Sequence, residues 1–245
     1  IHGMSLSGEV VTGQLMQKVA KLMPVLVKEF EIRHLVDDVA TATSFLTEAV
    51  VREIIASGIL PEGALQLICG SARSILDTVE SQDVVTFTGS ATTGRMLKSH
   101  KRIIDEAVPF NMEADSLNCS VLGEDAVPGT AEFDLFIKEV RKEMTVKCGQ
   151  KCTAIRRIIV PENLIEDVQI ALGKSLAKVA IGNPTAKGVR MGALASKAQV
   201  TEVRDRVKEL AQTAEIVYGS LDKIDLIDAD YDKGAFLSPI LLLEK

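Results

Sequence analysis

The tightest constraint on this chain is a rhythm of short apolar runs alternating with amphipathic stretches. Residues 65–69, 84–87, 108–111, 117–122 and 157–160 read as strands of a few residues each. Residues 72–79 and 95–101 read as short helices between them. Phe133, Phe136, Ile137, Val140 and Met144 fall on one face of a longer helix. Leu164, Ile165, Val168, Leu172, Leu176 and Val179 mark another, and residues 196–214 a more polar one. Residues 215–218 and 240–243 close the chain as strands. Strands that alternate with helices in this way form βαβ units, so the fold class is α/β, with a parallel sheet and helices on its faces.

Upstream the pattern is all helical. Thr43 and Ser44 are cap candidates for a helix carrying Leu46, Ala49, Val50, Ile54 and Ile55, and Gly58 stops it. Before that, Leu15, Val19, Leu22, Met23, Leu26 and Phe30 recur at helical spacing, with Pro24 as a kink or break. A domain boundary is expected near residues 113–118, between two blocks of alternating elements.

Composition removes several function classes. A net charge of −6, 4% aromatics and no tryptophan leave neither a basic stripe nor a stacking platform for nucleic acid. The cysteines Cys69, Cys119, Cys148 and Cys152 form no CxxC pair, and His2, His34 and His100 lie far from them in sequence, so no metal site is expected. Reduced thiols in a chain with a good core point to the cytoplasm. No apolar run approaches the ~20 residues of a membrane span, and no secretion leader is expected.

Chemistry concentrates in three short runs. The last, KCGQKCTAI from Lys147 to Ile155, holds Cys152 behind Gly149 and Gln150. A thiol becomes a nucleophile when positive charge or aligned N–H groups favour the thiolate, and Lys147, Lys151, Arg156 and Arg157 flank this one. Taken alone, Cys152 reads as a small buried hydrophobe rather than a nucleophile. Cys148 reads as a buried or half-exposed thiol, and Cys69 and Cys119 as core residues in apolar strands. The second run, MEADSLN from Met112, offers Glu113, which by itself would be a surface carboxylate. The first, FTGSATTG from Phe87, places Thr88, Gly89, Ser90 and Gly94 in a turn between a strand and a helix N-terminus, where backbone N–H groups and the helix dipole favour phosphate.

In this order the three runs resemble the aldehyde dehydrogenase superfamily, and the likeness extends to the dehydrogenase domain of bifunctional phenylacetate-degradation enzymes. It covers about Ala40 to the C-terminus. The resemblance implies a parallel-sheet, Rossmann-like cofactor domain followed by an α/β catalytic domain. It divides the chain into a poorly assigned segment 1–39, part of a nucleotide-cofactor domain over 40–115, and part of a catalytic domain over 116–245. It implies that Cys152 is the nucleophile and that Glu113 activates the water that hydrolyses the acyl-enzyme. Thr88, Gly89, Ser90 and Gly94 would then face the cofactor diphosphate. Thr41 stands where relatives often carry a ribose-binding glutamate; without that carboxylate a 2′-phosphate is not repelled, which favours NADP over NAD. The implied substrate is a small-molecule aldehyde, a semialdehyde bearing a CoA thioester, and the implied assembly is a homo-oligomer.

The chain departs from the family at four points. Ala114, Asp115 and Ser116 replace the usual Leu-Gly-Gly after the glutamate. Asp38 takes the place of a ribose-binding lysine, which opposes the reading from Thr41. The family's oxyanion asparagine segment ahead of Ala40 has no match, nor has its later ribose glutamate. The expectation is an incomplete chain, with a non-catalytic nucleotide-binding or oligomerisation fragment as the alternative to an enzyme. Nothing matches the hydratase-like domain of the bifunctional enzymes.

Overall fold

The computed structural model describes residues 39–68 and 73–244. The chain divides into two compact units, Ile1–Arg73 and Ser74–Lys245. The boundary expected near residue 115 falls inside the second. The helix expected across Leu15 to Phe30, with Pro24, His2, His34, Asp38 and Cys69, lies outside the described residues, as does the side chain of Thr41.

In the first unit α1 runs Val39–Ala56. Thr43 and Ser44 therefore lie inside it and do not cap it, because their preference for caps is a weak prior that the surrounding helical backbone overrides. Gly58 ends the helix as expected: its φ is +66° and its N–H donates to the Ile55 carbonyl at 3.2 Å. The strand expected at 65–69 does not form over the described residues 65–68, where Leu67 and Ile68 are exposed.

A 3₁₀ turn, Arg73–Thr78, runs from the last residue of the first unit into the second, which is built on βαβ crossovers. Strand β1 (Val85–Gly89) pairs in parallel with β2 (Phe110–Ala114), from Val85 opposite Phe110 to Gly89 opposite Ala114. Their crossover holds α2 (Ala91–Lys98) and α3 (Lys101–Asp105). One helix was expected here; two form because His100 leaves helical geometry and its ring nitrogen accepts the Arg102 N–H as a new cap. A second parallel pair, β3 (Cys119–Val121) with β4 (Arg157–Ile159), encloses α4 (Ala131–Thr145). Next come α5 (Ile165–Leu176) and α6 (Lys197–Leu210), and then β5 (Ala214–Tyr218) pairs antiparallel with β6 (Leu241–Glu244). Ser90, Thr130 and Ser196 cap α2, α4 and α6, each accepting a backbone N–H of the first turn.

The largest core cluster seats Phe133, Phe136, Ile137 and Val140 of α4 against Val168 and Leu172 of α5, with Ile158 of β4 beneath. This is the helix face that the sequence spacing marks. A smaller cluster joins Leu76, Ile103 and Val108 under β1, and a third joins Leu194, Val200, Ala235 and Leu237.

Cys119 is exposed, contrary to the expected core position. The reason is the two-residue period of a strand. Ser120 faces the register partner Ile158, which packs on the α4–α5 cluster, so Cys119 and Val121 project to the opposite side, and Val121 is 65% exposed. Among the described residues, no helix is long and apolar enough to cross a membrane.

Candidate active site

The alternation along β1 and β2 sorts their side chains to two faces. Phe87 and Met112 are register partners turned towards α2, and Thr88 and Glu113 are register partners that are both exposed. One face of this strand pair, at its C-terminal end, therefore carries the candidate base beside the candidate cofactor turn. Parallel α/β sheets bind ligands at that end.

Gly94 sits on the inner side of α2. It is buried, and an added Cβ would stand 2.5 Å from Met112 Sδ and 3.1 Å from the Phe87 ring. Its place is explained by close packing of helix on sheet. Gly94→Val is expected to cost about 1–3 kcal/mol by overpacking, read as a lower denaturation midpoint.

Thr88, Gly89 and Ser90 are exposed at the turn, so hydroxyls and backbone are available to a phosphate. Part of the helix N-terminus is already used: Ser90 Oγ accepts from Thr93 N at 3.2 Å, and Asp115 Oδ1 accepts from Ala91 N at 3.1 Å. Asp115 has φ +55° and its N–H donates to the Gly89 carbonyl. That left-handed backbone accounts for the glycine usual at this position, and aspartate is among the few other residues that tolerate it.

The loop after α4 carries Cys152. Lys147, Cys148 and Gly149 all have positive φ, at 52°, 55° and 69°. For the first two this costs about 1–2 kcal/mol each, a strain held by the surrounding bonds. An added Cβ on Gly149 would lie 3.3 Å from the Met144 carbonyl oxygen, which explains the glycine.

The residues that precede Cys152 and the loop beyond it are tied down at several points. The Cys148 thiol points to the Gly192 and Ala193 carbonyls at 3.2 Å, and Gln150 Oε1 accepts the Ala195 N–H at 2.9 Å. Lys151 Nζ pairs with Glu143 at 2.7 Å in a mostly buried ion pair, and Arg156 Nη2 donates to the Lys151 carbonyl. Asn118 Nδ2 donates to the Cys152 carbonyl at 2.6 Å and to that of Ala154 at 3.1 Å. Ala154 is fully buried, whereas Cys152 and Thr153 are exposed. The result is an exposed thiol on a braced turn.

One sequence expectation changes at this loop. The charges of Lys151 and Arg156 are committed to Glu143 and to a backbone carbonyl, and Arg157 Nη2 to the Leu117 carbonyl. Cys148 is half-buried, as expected, and burial pushes its thiol up to about 11, so it is no competing nucleophile at neutral pH. The brace from Asn118 has no local signal in the sequence beyond its place in the MEADSLN run, because its partners lie 34 and 36 residues away.

The aldehyde dehydrogenase family model matches residues 38–244. The 3,4-dehydroadipyl-CoA semialdehyde dehydrogenase of Aromatoleum evansii is 45% identical over 203 residues, covering 83% of this chain and 39% of that protein. Among solved structures, NAD+-bound betaine aldehyde dehydrogenase of Staphylococcus aureus superposes with a TM-score of 0.66 at 24% identity, over 80% of this chain and 38% of that one. Succinate-semialdehyde dehydrogenase of Burkholderia pseudomallei gives 0.63 at 22% identity, over 82% and 38%. The chain thus spans about two-fifths of the length of these proteins. The family profile spanning both crossovers, and a relative this similar over most of the chain, agree with the order of the three motifs: the chain belongs to the aldehyde dehydrogenase family.

Proposed function

We propose that this chain carries the nucleophile and the water-activating base of an NAD(P)-dependent oxidation of an aldehyde to its acid. The observation that carries this reading is the braced loop that leaves Cys152 exposed. Cys152 as thiolate adds to the aldehyde carbon and forms a thiohemiacetal; oxidation of that adduct leaves a thioester on the same sulfur. The bound nicotinamide cofactor would supply the hydride acceptor. Glu113 then takes a proton from the water that attacks the thioester, releasing the acid and restoring the thiol. Thr88, Gly89 and Ser90 would hold the diphosphate, and Gly94 lets α2 approach the sheet closely enough to form the turn.

The substrate class we favour is a semialdehyde bearing a CoA thioester, as in phenylacetate breakdown, supported by the likeness to the Aromatoleum evansii enzyme. NADP is favoured over NAD through Thr41. A cytoplasmic homo-oligomer is part of the same reading.

Selective alkylation tests it. Iodoacetamide at pH 8 is expected to modify Cys152 at least tenfold faster than Cys119, which is also exposed but lies on a strand. Cys148 is expected to stay unmodified, since a thiol at about 11 leaves roughly one molecule in a thousand as thiolate at that pH. Equal, slow labelling of Cys152 and Cys119 would count against a nucleophilic role.

A further inference from the structure

We propose that Asn118 is a positioning residue for Cys152, an inference that rests on Cys152 being the nucleophile. Three observations carry it. The Asn118 amide nitrogen lies 2.6 Å from the Cys152 carbonyl oxygen, 3.1 Å from that of Ala154 and 3.0 Å from Ser116 Oγ. Two of these partners are carbonyl oxygens, which only accept, so the NH2 group must face the loop. The Asn118 backbone carbonyl in turn accepts the backbone N–H groups of Arg156 at 2.9 Å and Arg157 at 3.1 Å. A single residue thus holds the chain at residues 152, 154, 156 and 157. Finally, Asn118 stands five positions after Glu113, on the segment that leaves β2 and enters β3.

The physical consequence is local. An exposed thiol on a turn samples several positions unless its own backbone is fixed. In a trans peptide the carbonyl and the following N–H lie on opposite edges of one plane. Drawing the Cys152 carbonyl onto Asn118 fixes that plane, and the buried Ala154 anchors the next one. The Cys152 backbone is thereby held at one place relative to the segment that leaves β2, and the sulfur is left with only the staggered positions of its first side-chain torsion. Misplacement of a reacting atom by about 1 Å can cost on the order of 100-fold in rate. Asn118 acts through Cys152 and has no role in cofactor binding in this scheme.

The test uses the full-length protein with Asn118→Ala, Asn118→Ser and Cys152→Ala. For Asn118→Ala, kcat is expected to fall roughly 10- to 100-fold, and alkylation of Cys152 by iodoacetamide at pH 8 about tenfold. Cofactor affinity, cofactor KM and the rate of Cys119 labelling are expected to stay within about twofold, which a general loss of structure would not allow. Asn118→Ser keeps one donor and is expected to recover several-fold of both losses. If Asn118→Ala does not fold, Asn118→Ser alone decides, with an about threefold loss of Cys152 alkylation expected on the same grounds. Alkylation and kcat within twofold of the unaltered protein, with Cys152→Ala inactive, would overturn the positioning role and leave the nucleophile standing. Retained turnover in Cys152→Ala would overturn both.

Discussion

Replacing Cys152 with alanine in the full-length protein is expected to remove aldehyde-dependent cofactor reduction, by on the order of 10⁴-fold or more. The size of the effect follows from covalent catalysis. Without the sulfur there is no thiohemiacetal, and hydride would have to leave a hydrated aldehyde that nothing holds. The substitution is also a clean one. The Cys152 side chain is exposed, and the bonds that brace the loop run through its carbonyl and through its neighbours. Surface changes of this kind usually alter stability by no more than about 0.5 kcal/mol. Denaturation midpoint and cofactor affinity should therefore match those of the unaltered protein. Turnover above about a tenth of normal in a folded Cys152→Ala protein would rule out the covalent route. Cys148 could not rescue it: its thiol is half-buried, directed at two carbonyls and pushed up to about 11.

How much of this could be read from the residues depends on the range of the interaction. Helix α4 was legible because Phe133, Phe136, Ile137 and Val140 repeat at 3.6-residue spacing and all four are buried. The parallel pairing of β1 with β2 was legible for a similar reason, since a crossover of helical residues separates two apolar runs. Cys119 was misplaced because a three-residue strand gives no phase: the same residues suit either face until Ile158 supplies the partner. The left-handed turn at Lys147 and Cys148 was illegible because neither is a glycine, so no local signal announces positive φ. The charges around Cys152 misled for a further reason. Adjacency in sequence does not fix direction, and Lys151 reaches back to Glu143 across eight positions. Gly94 shows the same limit in another form. Its spacing suggested a phosphate turn, and only the approach of Met112 shows that it is needed for packing. The motifs were visible because each is contiguous; the contact that ties the second to the third spans 34 residues, from Asn118 to Cys152.

Glu113→Gln should separate the two halves of the reaction. The amide has the size and shape of the carboxyl but cannot accept a proton at neutral pH. Attack by Cys152 and oxidation of the adduct need no base at residue 113, so the first turnover should proceed. Release of the acid needs a deprotonated water, and losing a positioned general base costs about 10²–10⁴ in rate. Rapid mixing of enzyme, cofactor and aldehyde is then expected to give a burst of one reduced cofactor per site, followed by a steady rate lower by that factor. During the slow phase the protein should carry the acyl group on Cys152, visible as an intact-mass increase that Cys152→Ala abolishes. Stability should barely change, because Glu113 is exposed at the end of β2 and the Thr88–Glu113 register is made by backbone. Two outcomes would redirect the assignment. A normal steady rate without a burst would mean that another group activates the water. Loss of the burst together with turnover would mean that Glu113 acts earlier, on the Cys152 thiol itself, and the exposed face shared by Thr88 and Glu113 would then be the route by which that proton leaves.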